Sequence, residues 1–65
     1  MLRVGDLIRY KKRYMSSSKL IGIVTRAEEI AYHSGEVGVY YVVYWNTGEW
    51  CQFSDLLAWK FEVIG

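Results

Sequence analysis

Residues 40–50 read YYVVYWNTGEW, which places five of the chain's eleven aromatic residues in eleven positions. The alternation predicts a strand over 37–45. Val37, Val39, Tyr41, Val43 and Trp45 share one face, and Gly38, Tyr40, Val42 and Tyr44 share the other. Asn46-Thr47-Gly48 then predicts a three-residue hairpin loop with Gly48 in the left-handed region, and Glu49 to Phe53 returns as the partner strand. Both faces of 37–45 carry large side chains, whereas a sheet open to water normally shows polar residues on one of them. Tyr41, Val43 and Trp45 are therefore expected in a core. Tyr40, Val42 and Tyr44 are expected outside, beside Trp50 or Trp59 from neighbouring strands. The four rings Tyr40, Tyr44, Trp50 and Trp59 make an aromatic patch of the kind that marks an interaction site.

Away from the hairpin, periodicity again favours strands. Val4-Gly5-Asp6 is a turn, and Leu7 to Lys11 alternates roughly between apolar and polar. Residues 12–19 contain Met15-Ser16-Ser17-Ser18, a stretch with little propensity for regular structure, and read as a mobile loop. Leu20 to Thr25 is rich in β-branched residues, with Gly22 where the strand bends or another backbone passes close by. Residues 26–33 fit a strand extension, an irregular arm or a helical turn too short to hold alone, before a turn at 33–36. Ser54-Asp55-Leu56-Leu57 predicts one turn of 3₁₀ helix capped by Ser54, and residues 59–64 close the chain as a last strand. No repeat or linker divides the chain, so 1–65 reads as one domain.

Composition narrows the function classes. A chain of about 60 residues buries only ~60% of its unfolded surface, and the 52% apolar and 17% aromatic content offsets this through large side chains. No apolar run approaches the roughly eighteen residues of a membrane span. Arg3, Asp6 and Arg9 interrupt the stretch where an export signal needs an apolar run, so a cytoplasmic rather than secreted protein is expected. Cys51 is the only cysteine and His33 the only histidine, too few for a disulfide or a four-ligand zinc site. His33, Ser34 and Asp55 are the residue types of a hydrolytic triad. Adjacent residues on a turn, however, seldom reach nucleophile-to-base geometry. No phosphate-cradling glycine loop is present, and Cys51 has no neighbouring cation to activate it. The expectation is a non-enzyme without cofactor, metal or small-molecule substrate.

The segments Gly5-Asp6 with Leu7-Ile8-Arg9, Gly22-Ile23-Val24, Tyr41, Val43 and Trp45 with Gly48, Ser54-Asp55-Leu56-Leu57 and Val63-Ile64 together resemble the small SH3-like barrels that include Tudor and KOW domains. In overall layout the chain is most similar to short stand-alone SH3-like proteins of tailed bacteriophages, marine ones among them. The resemblance spans nearly the whole chain. It implies an all-β, five-stranded SH3-like barrel with one short 3₁₀ turn before the last strand. KOW segments carry further glycines where this chain has YKKRYMSSSKL. The Tudor likeness implies a candidate aromatic cage from Tyr14, Tyr44 and Trp50, although core or rim packing accounts for the same residues more simply. This barrel hosts many unrelated activities, so the likeness speaks to fold more than to function.

Charge adds the last clue. Residues 1–26 hold seven cations against one acid, a net of +6, while residues 27–65 hold one cation against six acids, a net of −5. Interleaved strands would mix these charges; otherwise the fold keeps a basic end for an anionic partner. Two binding functions follow. In the first, a protein partner or a second copy docks on Tyr40, Tyr44, Trp50 and Trp59, residue types enriched at interface hot spots. In the alternative, a nucleic acid binds Lys11, Lys12, Arg13, Tyr14, Lys19 and Arg26, which combine cations for phosphates with a ring for a base. The near-neutral total charge favours the first.

Overall fold

The computed structural model describes residues 2–15 and 19–65. Strands β1 (Leu7–Tyr10), β2 (Gly22–Ala31), β3 (Val37–Trp45) and β4 (Trp50–Ser54) precede a 3₁₀ helix (Asp55–Lys60) and strand β5 (Phe61–Val63). The described fold is thus all-β. The five strands form one antiparallel sheet in the order β4-β3-β2-β1-β5.

The sheet is not closed by hydrogen bonds, because β4 and β5 sit at its two ends. It nevertheless curls until those ends touch through side chains. The rings of Phe53 on β4 and Phe61 on β5 stack with centroids 4.6 Å apart. A bulge helps the bend. Val24 pairs with Val43 and Arg26 with Val42, which leaves Thr25 as the extra residue, its hydroxyl donating to the Val42 carbonyl (3.1 Å). Such a bulge raises the local twist and turns the strand.

The concave face holds the core: Leu2, Ile8, Val24, Tyr41, Val43, Trp45 and Phe61. The expected register of β3 therefore holds, with Tyr41, Val43 and Trp45 inside. Gly22 faces Trp45 across the ladder, and a Cβ there would lie 2.5 Å from Val43 Cγ1 and 2.9 Å from Trp45 Cε3. The bend expected at Gly22 is thus a close approach of side chains, not of backbone. Gly48 lies at φ 88° in the β3–β4 turn, where its amide donates to the Trp45 carbonyl (2.9 Å) and Trp45 N–H donates to the Glu49 carbonyl (2.8 Å).

Several boundaries differ from the sequence reading. β2 begins at Gly22 instead of Leu20 and continues through the ambiguous residues 26–31 as a regular partner of β3. The 3₁₀ helix runs on to Lys60, so Trp59 belongs to it and the last strand has three residues. Ser54 precedes this helix but makes no side-chain capping bond; its hydroxyl sits with that of Tyr32 instead. Ser16-Ser17-Ser18, read as part of a mobile loop, lie outside the described residues. Among the described residues no helix is long and apolar enough to cross a membrane.

Beyond Tyr40, where β4 stops pairing, β2 and β3 continue as a two-stranded arm closed by the turn between Tyr32 and Glu36. Tyr32 lies against Gly38 and donates from its hydroxyl to Asp55 Oδ1 (2.9 Å), tying the arm to the start of the 3₁₀ helix. Tyr40 donates likewise to Glu28 Oε2 (2.8 Å).

Two stability effects follow. Because a β-branched residue is strained at positive φ, Gly48→Val should destabilise the protein by about 1 kcal/mol or more. An unchanged melting midpoint would remove the turn assignment. Three tyrosines should also make stability fall at high pH. Desolvation, then the bond to Asp55, raises the Tyr32 pKa; the bond to Glu28, then desolvation, raises Tyr40; desolvation raises Tyr41. The unfolded tyrosines ionise first, near pH ~10. Their stabilising contribution is therefore complete below that pH and is lost as pH climbs through the higher folded values. Urea midpoints should drop above about pH 10, with tyrosinate absorbance appearing later in the folded than in the unfolded chain. Coincident titration curves would contradict the assignment.

Candidate nucleic-acid interface

The backbone of β1 leads straight into the basic loop. Lys11 N–H donates to the Lys60 carbonyl (2.9 Å), and the chain then turns so that Tyr14 N–H donates to the Lys11 carbonyl (2.9 Å). This places Lys11, Lys12, Arg13 and Tyr14 against the end of the 3₁₀ helix. The Tyr14 ring meets the Trp59 ring edge-on at 5.4 Å. Arg13 Cζ stands 5.8 Å from the Tyr14 centroid and Lys60 Nζ 5.7 Å from that of Trp59. Two cations thus lie beside two rings that remain 38% and 53% exposed. Beside Trp59 an open depression of about 280 Å³ is lined by Leu2, Ala58, Phe61 and Val63.

Of the residues expected to bind nucleic acid, the cations Lys11, Lys12 and Arg13 and the ring of Tyr14 come together. Lys19 is exposed at the same end of the sheet, where its carbonyl accepts from Asn46 Nδ2 (3.0 Å) in the β3–β4 turn. Arg26 does not join them: it lies past the bulge, its Nε 3.3 Å from Glu28 Oε1. Sequence reasoning assigned Trp59 to the other surface and left Lys60 out altogether. Lys60 lies forty-nine positions after Lys11, and only the pairing of β1 with β5 brings the two together.

The register also separates the charges. β1 pairs only with Gly22 and Ile23 at the start of β2, so Glu28, Glu29 and Glu36 ride on the arm at the far end. Among the described residues the ion pairs are Arg9–Glu62, at 2.8 Å, and Arg26–Glu28. The basic loop and Lys60 take part in neither. The ten residues of β2 from Gly22 to Ala31 cover about 30 Å, in a molecule 38 Å long.

The expected aromatic patch divides. Tyr44 and Trp50 pair across β3 and β4 with centroids 4.7 Å apart, 39% and 61% exposed. Tyr40 shares their face, half-buried, with its hydroxyl held by Glu28. Trp59 stands apart with Tyr14, which also takes Tyr14 away from the cage expected with Tyr44 and Trp50. His33 and Ser34 are exposed in the arm's turn, while Asp55 accepts from Tyr32. Cys51 is half-buried and its Sγ accepts from Trp45 Nε1 (2.9 Å). Comparison of the chain with family models, curated proteins and solved structures returned no match to any of them.

Proposed function

We propose that the chain is a non-catalytic SH3-like barrel module of the small phage-encoded type, acting in the host cytoplasm or the virion, which binds single-stranded nucleic acid at its basic end. The barrel reading rests on the strand order and on the Phe53–Phe61 stack that bridges the two ends of the sheet. The nucleic-acid reading rests on one observation: the exposed Tyr14–Trp59 pair is set among Arg13, Lys60, Lys11 and Lys12. Exposed rings offer faces on which bases stack, and surrounding cations neutralise phosphates and release counterions.

A net charge of +1 does not weigh against this. Glu28 and Glu29 of the arm stand six and seven residues beyond Gly22, about 20 Å along the strand, more than twice the Debye length of about 8 Å at physiological salt. An anionic strand at the loop therefore meets the local cations and little of the arm's field. The competing reading, a protein partner on Tyr40, Tyr44, Trp50 and Trp59, loses Trp59 to the basic end. It keeps the Tyr44–Trp50 pair.

Anisotropy of a labelled oligothymidylate should show binding whose log K falls linearly with log salt. Lys12→Ala should reduce the slope by about 0.7. Trp59→Ala should cost ~1–3 kcal/mol of stacking with the slope unchanged. No movement of the amide resonances of residues 11–15 and 59–60 on adding oligonucleotide at low salt would end this reading.

A further inference from the structure

Among the described residues the sheet has four free edge segments, of which the stretch of β3 at 37–39 is only three residues long, and they are not protected alike. The arm stretch of β2 carries Arg26, Glu28 and Glu29, and β5 has only three residues, with Glu62 paired to Arg9. β4 reads Trp-Cys-Gln-Phe-Ser over five residues, with neither charge nor proline, and its ladder to β3 has no bulge. Edge strands usually avoid pairing through charges, proline, bulges or shortness, and β4 uses none of these.

Which of its groups face outward follows from the hairpin. Trp45 and Glu49 form a hydrogen-bonded pair, and such pairs alternate along an antiparallel ladder. Cys51 and Phe53 therefore direct their backbone groups to β3, whereas Trp50, Gln52 and Ser54 direct theirs to the free edge. On the convex face the same strand carries a knob at one end and a hollow at the other. Trp50 is 61% exposed near the β3–β4 turn. An open depression of about 480 Å³, lined by Ile30, Tyr40, Gln52, Phe53 and Ser54, lies toward the arm.

We infer that β4 is a self-association edge: two copies pair β4 with β4 antiparallel about a two-fold axis at Gln52, each Trp50 entering the other's depression at Tyr40 and Ser54. Gln52 then stands opposite Gln52 and Trp50 opposite Ser54, so all three outward-facing residues exchange backbone hydrogen bonds. A two-fold axis normal to the sheet keeps knob and hollow on one face and uses the same patch twice. It also sets the basic end of each copy beside the acidic arm of the other, a complementary arrangement of charge. Glu49 approaches Asp55 of the second copy at the margin, which opposes the contact only there. Two tryptophans and one five-residue edge bury less than the roughly 1,200 Å² of a standard interface, so the dimer is weak and concentration-dependent. No part of this rests on the nucleic-acid reading.

Sedimentation equilibrium over a wide concentration range tests it, with the circular dichroism melt as a check on folding. The wild type should pass from monomer to dimer. Gln52→Lys, which places two ammonium groups at the axis on an exposed site, should stay monomeric with its melt preserved. Cys51→Ser/Gln52→Cys should cross-link rapidly under mild oxidation, since a directly opposed hydrogen-bonded pair has a Cα separation near 5.5 Å. Cys51→Ser/Ser54→Cys, whose thiols lie apart in this register, should not. A wild type that remains monomeric throughout, a dimer that survives Gln52→Lys, or equal cross-linking of the two cysteine variants would each overturn the inference.

Discussion

The ring of Phe61 touches aromatic rings from three other strands: Tyr10 of β1 at 4.5 Å, Trp45 of β3 at 6.0 Å and Phe53 of β4 at 4.6 Å. Tyr10 in turn stacks on Trp45, and Phe53 meets the tilted ring of Tyr41. Offset and tilted ring pairs contribute about 0.5–1.5 kcal/mol each beyond the area they bury. In so small a chain this cluster substitutes for the core that length does not supply. Its position matters as much as its energy. Phe61 is fixed on β1 through its pairing with Tyr10, so the two residues before it, Trp59 and Lys60, arrive beside Lys11 and Tyr14. The candidate interface is a consequence of how the core is closed.

The bulge at Thr25 supplies the second constraint. Ahead of it the even-numbered residues of β2, Gly22 and Val24, face the core; after it the odd-numbered Ala27 pairs with Tyr41 on that side. The bend curls the sheet near β1 and lets the β2–β3 arm run past the core. Because β1 pairs only with the first residues of β2, the carboxylates of the arm are carried away from the lysines. The opposed charges of the two halves are therefore only partly mixed: Arg9 pairs with Glu62 and Arg26 with Glu28, while Glu29 and Glu36 ride on the arm away from Lys11, Lys12 and Arg13.

How much of this was legible follows from the same features. The β3–β4 hairpin was readable because strict alternation and a single glycine in the turn both point to one register, and Tyr41, Val43 and Trp45 are inside as expected. β2 was only half readable. The change of phase at Thr25 breaks the period-two pattern, so residues 26–31 look irregular when each half is in fact regular. Trp59 was misplaced because Trp59, Phe61 and Val63 alternate as a strand would, while helix-to-strand conversion occurs at Lys60 and leaves no mark in hydropathy. Lys60 was overlooked for a different reason: its neighbours in space come from the other end of the chain, and no local pattern records that.

The central claim is that the pairing of β1 with β5 assembles the basic end, within a sheet whose two ends meet through the rings of Phe53 and Phe61. Ring-proton nuclear Overhauser spectra test it most directly. The account predicts cross-peaks between Phe53 and Phe61 and between Tyr14 and Trp59, alongside those of Tyr10 with Phe61 and Tyr41 with Phe53. Absence of the Tyr14–Trp59 cross-peak with the latter two present would mean no assembled basic end, and absence of the Phe53–Phe61 cross-peak would mean an uncurled sheet.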